Sequence, residues 1–199
     1  MILGITGSIG SGKTAAAKMF SKYHYSRIDA DEIGHESLTS NKKIKDRIIK
    51  EFGNGLLDKN GNINRKKLGA IVFNDRNKLK KLNSIMHPLI IDETKNQIKK
   101  IQNECGADAK IIIDAPLLRE TNLKNSVDKI IVVKASSKKI TARNRKFSMK
   151  KLEKIFKTQM PLDKKLKKAD FVIDNNGNFK NLEKQVKRIS NYLCSLSYK

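Results

Sequence analysis

Two cysteines, Cys105 and Cys194, stand far apart, and the three histidines, His24, His35 and His87, form no cluster. With no Cys-x-x-Cys pair and no histidine at ligand spacing, the pattern speaks against a disulfide scaffold and against a zinc site. Tryptophan is absent and aromatic residues make up only 6%, which is poor material for the stacking platforms that hold single-stranded nucleic acid. No apolar run approaches the ~20 residues that cross a bilayer. Met1 to Gly7 passes straight into strand-like sequence, leaving no room for a cleaved leader. The expected location is the cytoplasm, without membrane attachment. Acidic residues are scarce, 20 against 43 basic ones, for a formal charge of +23. Such a field attracts polyanions. The lysines, however, are scattered in pairs such as Lys42-Lys43, Lys80-Lys81 and Lys164-Lys165, whereas a nucleic-acid site concentrates them in a stripe. Lysine, isoleucine and asparagine abound throughout, as biased base composition produces unaided. The charge is read as that bias together with attraction to a phosphorylated substrate, and no nucleic-acid partner is expected.

What is present is enough for one ordinary core, since 199 residues favour one compact domain with insertions. Short apolar runs recur: Ile2–Thr6, Tyr25–Asp29, Ile111–Asp114, Lys129–Val133 and Phe171–Ile173. Between them lie helical patterns. One runs from about Lys13 to Tyr23, another from Asp31 to about Glu104, and a closing helix from about Phe179 to Leu196. The long pattern is expected to break at Phe52–Asn64, which is rich in Gly and Asn, and again at Pro88. Asp58–Asn62 within the first break reads as a turn rather than a calcium loop, because its glycine falls too early and no bidentate glutamate follows. Strands that are nearly all apolar and alternate with helices predict an α/β fold, a five-stranded parallel sheet covered on both faces. Ligands of such sheets bind beyond the carboxyl ends of the strands. The groups expected on that rim are the Gly7 loop, Asp29-Ala30-Asp31, Asp114-Ala115-Pro116 and Asp174-Asn175-Asn176-Gly177.

Gly7-Ser8-Ile9-Gly10-Ser11-Gly12-Lys13-Thr14 has the spacing of a phosphate loop between an apolar strand and an Ala-rich helix. Its glycines let successive N–H groups point at phosphate oxygens, and the helix start adds its positive dipole end. Lys13 is expected to reach the terminal phosphates of a nucleoside triphosphate and the Thr14 hydroxyl to hold Mg²⁺. The nucleotide cradle therefore comprises Ser8, Ile9, Gly10, Ser11, Gly12, Lys13, Thr14 and Ala15. Of Asp29 and Asp31, one suits a helix cap and the other a carboxylate that takes the proton of an acceptor hydroxyl. Asp114 and Asp29 both compete to be the second group near the metal. Arg143 and Arg145, in a basic segment after the fourth strand, are candidates for cations brought to the transferring phosphoryl group.

In order along the chain stand Gly4–Thr14, Ile28-Asp29-Ala30-Asp31, Asn64-Arg65-Lys66-Lys67-Leu68 with Val72-Phe73, and His87-Pro88-Leu89-Ile90. They are followed by Asp114-Ala115-Pro116-Leu117-Leu118 with Glu120, then Gln159-Met160, then Ala169-Asp170-Phe171-Val172-Ile173-Asp174-Asn175-Asn176-Gly177. This ordered set resembles the dephospho-CoA kinase family over nearly the full length. The resemblance implies a P-loop NTPase-type three-layer core (1–31, 106–137 and 166–199), a helical CoA-binding insertion of about 32–105 and a short lid of about 138–165. It implies transfer of a phosphoryl group from ATP, with Mg²⁺, to the ribose 3′-hydroxyl of dephospho-CoA, the last step of coenzyme A synthesis, by a monomer or weak homo-oligomer. Asp31 then matches the catalytic aspartate, Arg143 the first lid arginine, and Asn175 the segment bordering the adenine. Arg65, His87 and Leu117 fall in substrate-region motifs. The sequence departs from the family at Ser8 and Thr14, for Gly and Ser. Between Arg143 and Ser148 the lid is about three residues short. Arg145 follows Arg143 by two positions, on a different helix face from the second lid arginine usual four positions on.

Overall fold

The computed structural model describes residues 1–116, 118, 121–145 and 149–196. Within it the described chain forms two compact units, 1–29 with 96–199, and 30–95. The first is built on strands β1 (Ile2–Gly7), β2 (Ser26–Asp29), β3 (Ile111–Asp114), β4 (Lys129–Lys134) and β5 (Phe171–Asp174). All four pairings are parallel, in the order β2-β3-β1-β4-β5. The expected five-stranded parallel sheet is therefore present. β1 occupies the centre because its residues are apolar and buried on both faces, as a doubly covered strand requires.

One face of the sheet offers Leu3, Ile5, Ile112, Ile131, Val133 and Ile173. They pack against Ala16, Ala17 and Phe20 of α1 (Lys13–Phe20) and Leu182, Val186 and Leu193 of α9 (Phe179–Leu196). The small Ala16 and Ala17 let α1 lie close to the strands and to α9. Helix α1 stops at Phe20 and tightens into a 3₁₀ turn at Ser21–Tyr23, three residues earlier than the apolar spacing predicts. The cause is His24, whose left-handed backbone (φ 64) turns the chain back into β2. The other face carries Gly4 and Thr6. A side chain on Gly4 would run into Leu118 and Val127, which cover it there.

The second unit holds α2 (Ala30–Ser40), α3 (Lys42–Phe52), α4 (Arg65–Val72) and the first part of α5 (Arg76–Cys105). Leu38, Ile44, Ile48, Leu56, Leu68, Val72, Ile85 and Met86 form its core. Asn41 and Asn64 start α3 and α4 by accepting hydrogen bonds from Ile44 N, and from Lys66 N and Lys67 N. Asp58–Asn62 is a turn: the Asp58 carboxylate accepts from Asn60 N and Asn62 N, both at 2.9 Å.

The expected break at Pro88 is absent. Helix α5 runs unbroken through it, and the interruption lies earlier, at Phe73–Asp75, where Asp75 caps the new helix through Asn77 N (2.8 Å). A mid-helix proline costs about 3 kcal/mol. Burial of Ile85 and Met86, with Leu89 and Ile90 packed on the same core, is worth about 1.5–3 kcal/mol per side chain, enough to outweigh the proline. Restoring the missing N–H by Pro88→Ala is expected to raise the unfolding free energy by about 1–2 kcal/mol, after allowance for a looser unfolded chain. Urea titration would register this as a higher midpoint at unchanged slope.

Candidate active site

Register brings the chemically equipped strand ends to one rim of the sheet. Asp29 lies opposite Asp114, Asp114 opposite Ile5, Gly7 opposite Val133, and Lys134 opposite Asp174. From the central strand the chain enters the loop Ser8–Gly12, closed by Ser11 N donating to Ser8 O at 3.0 Å. Gly10 (φ +73) and Gly12 (φ +91) adopt the left-handed conformation that side chains resist. Neither position has room for a Cβ, which would meet the amides of Asn144 and Asn175 respectively. The first helical bond of α1 is Ala16 N to Gly12 O (3.0 Å). The amides of Lys13, Thr14 and Ala15 thus precede the ladder, and they are the donors a helix start offers to an anion.

Behind the loop lies an alternating chain of charges. Lys13, only 8% exposed as a residue, pairs through its ammonium with one oxygen of the fully buried Asp114. Arg27 holds the other oxygen at 2.9 Å and also pairs with Asp29. Buried charges survive when they are paired in this way, and breaking one pair strands the other member. Burial opposes the charge on Arg27, but its bonds to Asp114 and the nearness of Asp29 outweigh that and raise its pKa above the ordinary value. The oxygen-rich ends of β2 and β3 are thereby held rigid beside the loop.

Three side chains clasp the loop from outside, and a fourth holds the strand end that leads into it. Arg143, the last residue of α6 (Ser137–Arg143), donates to Gly10 O (3.3 Å), Ser11 O (3.2 Å) and Asn175 O (3.0 Å). Buried Asn175 donates to Ser11 O at 2.8 Å. Its corner is fixed by Asp174, whose carboxylate accepts from Asn176 N at 3.0 Å. Gln159, after α7 (Met149–Thr158), accepts from Ile9 N at 3.3 Å. Lys165 in α8 (Leu162–Leu166) reaches the end of β1, with its ammonium 3.4 Å from Thr6 Oγ1.

A sequence model of the family described as dephospho-CoA kinase matches residues 1–181. The chain is similar to the dephospho-CoA kinase of Fusobacterium nucleatum subsp. nucleatum, 42% identical over 192 residues that make up 94% of this chain and 96% of that protein. The chain belongs to the dephospho-CoA kinase family. The dephospho-CoA kinase of Aquifex aeolicus is 40% identical over 189 residues, covering 94% of each chain. The solved dephospho-CoA kinase from Campylobacter jejuni superposes with a TM-score of 0.69 at 28% identity, covering 96% of both chains. The fold is accordingly the P-loop α/β architecture of these kinases.

Within this dephospho-CoA kinase scaffold the first unit gathers Ser8–Ala15, Arg143, Asn175 and the carboxylates Asp29 and Asp114. Thr14 lies exposed in the first turn of α1. Arg145 is exposed in the turn after α6. Arg143 contacts main-chain carbonyls of the loop, a role its place in a basic segment did not suggest. In the second unit, Asp31 is exposed in the first turn of α2, where the helix dipole favours a carboxylate. Arg65 opens α4 and donates to His35 Nε2 at 2.6 Å. His35 follows Asp31 by one helical turn on the same face of α2. His87 is half-buried in α5. Leu117, Arg119 and Glu120 lie outside the described residues. The reading of the sequence missed Arg27, His35, Asn144 and Lys165. A signal existed for Arg27 alone, an arginine two positions before Asp29 in a short strand.

Proposed function

We propose that the protein transfers the γ-phosphoryl group of ATP to the ribose 3′-hydroxyl of dephospho-CoA, giving coenzyme A and ADP, the last step of coenzyme A synthesis. The hydroxyl oxygen bonds to the γ-phosphorus as the bond to the β,γ-bridging oxygen breaks, and ADP leaves. The observation that carries this reading is the phosphate loop with Lys13 poised behind it, inside an ordered family match over residues 1–181. The amides of Ser8–Ala15 bind the phosphates, and Lys13 neutralises charge that builds on the transferring group. Arg143 and Asn175 border the nucleotide from the outer side of the loop. Asp31 orients the acceptor hydroxyl and takes its proton. Arg65 and His87 belong to the helical insertion of about 32–105 that receives dephospho-CoA, and Leu117, in the stretch after β3, is assigned to the same substrate by the family resemblance.

Magnesium fits the donors present. The groups near the loop are a hydroxyl, Thr14, and the carboxylates Asp114 and Asp29, all hard oxygen donors. Among the described residues no cluster of three or more His, Cys, Asp or Glu could cage a metal. One or two protein oxygens plus phosphates is the usual Mg²⁺ arrangement. When bound, the ion supplies charge neutralisation on the phosphate oxygens. Among the described residues no helix is long and apolar enough to cross a membrane. A cytoplasmic enzyme, monomeric or weakly self-associating, is the form proposed.

Incubation with MgATP and dephospho-CoA should release ADP and coenzyme A in equal amounts, followed by mass spectrometry and a coupled ADP assay. Shikimate and simple nucleosides, offered as competing acceptors on the same P-loop core, should give at most about 10⁻³ of that rate, because a site whose polar groups pair with its own acceptor leaves them unpaired with an analogue that lacks their partners. Faster turnover of either would overturn the assignment of the acceptor.

A further inference from the structure

Lys165 is fully buried, unusual for a residue with so long and well hydrated a charge. Its ammonium donates to Pro116 O at 2.8 Å and stands 3.4 Å from Thr6 Oγ1, which itself donates to Pro116 O at 2.9 Å. Thr6 is the last residue before Gly7, where β1 turns into the phosphate loop. Pro116 closes the corner that begins at Asp114, the partner of Lys13. One cation therefore ties together the two chain segments that set the lysine and the carboxylate of the site. The segment just before α8 touches the loop itself, at Ile9 N through Gln159.

We propose that Lys165 is a positioning residue for phosphoryl transfer, fixing the Thr6–Pro116 junction so that Lys13 and Asp114 keep the geometry the reaction needs. The proposal rests in part on the kinase reading above. Displacement of a reacting group by about 1 Å costs on the order of 10²-fold in rate. Lys165→Met is therefore expected to lower kcat for coenzyme A formation by about 10²-fold while KM for MgATP shifts less than about threefold. Its melting temperature should fall only modestly, as for an unmade buried hydrogen bond, so that the loss of rate is read on a folded protein. Hydrolysis of MgATP without any acceptor should fall in the same proportion. That second rate does not depend on which alcohol is phosphorylated, so a mistaken acceptor and a mistaken role for Lys165 give different results. Thr6→Val, which removes the shared hydroxyl and keeps the volume, should lower both rates about tenfold, and it decides the matter alone if Lys165→Met fails to fold. Either folded variant with both rates within about threefold of the parent overturns the proposal, as does a rise in KM with kcat preserved.

Discussion

Replacing Lys13 by methionine is expected to lower kcat by about 10³-fold and to leave a folded protein. The rate expectation follows from charge. As the phosphoryl group leaves ADP, negative charge spreads over its oxygens and the bridging oxygen, and one prepositioned cation in a water-poor site is worth about 10²–10³ in rate. At 1.36 kcal/mol per tenfold, the upper figure is about 4 kcal/mol of transition-state stabilisation. The folding expectation follows from the neighbours. Asp114 is fully buried, so losing its only cation would be severe, but Arg27 holds its other oxygen at 2.9 Å. The carboxylate stays paired, and the loss of stability should be near the ~1–3 kcal/mol of an unmade buried bond rather than the larger cost of a stranded charge. Steady-state kinetics together with urea unfolding separates the two effects. A fall in kcat of less than tenfold in a folded variant would remove Lys13 from the reaction.

The same geometry says what nucleotide binding must do. Lys13 is held by Asp114 across the ends of α1 and β3. Phosphate oxygens then compete with a carboxylate for the ammonium. The exchange keeps the lysine paired throughout, and Arg27 keeps Asp114 paired while it happens. The four-charge chain leaves each member beside a partner of opposite sign.

The fold was largely legible because its signals are local and redundant. β1, β3 and β4 are largely apolar runs too short for helices, and the loop glycines announce the turn between β1 and α1. Sequence reading placed the break in α5 wrongly at Pro88 because it weighs a backbone penalty and cannot see the compensating burial of Ile85 and Met86. At the site, motif spacing singled out Lys13 and Thr14, and the family resemblance singled out Asn175. Arg27 and Lys165 were not, since their partners lie 87 and 49 residues away, at Asp114 and Pro116. In a chain with 43 basic residues, one buried lysine has no signature of its own. Only the packing that removes it from water marks it out.

Asp31→Asn is the second change expected to have a large effect, a loss of about 10²–10⁴ in kcat with little change in nucleotide affinity. Asparagine matches the shape of aspartate and still accepts a hydrogen bond, so it can orient a hydroxyl. It cannot take the proton, and it offers no negative charge to raise the nucleophilicity of the acceptor oxygen. The structural reading of Asp31 makes the opposite forecast. As a carboxylate in the first turn of α2 it interacts favourably with the helix dipole, an effect of about 0.3–1 kcal/mol at an exposed position. If that were its only role, Asp31→Asn would shift the unfolding midpoint slightly and leave turnover intact. Kinetics with saturating MgATP and dephospho-CoA, set beside calorimetry of nucleotide binding, distinguishes these outcomes. Full turnover with a small loss of stability would reduce Asp31 to a helix-start residue. A thousandfold drop in kcat at unchanged nucleotide affinity would place it at the acceptor hydroxyl, because the phosphate loop and Lys13 hold ATP without its help.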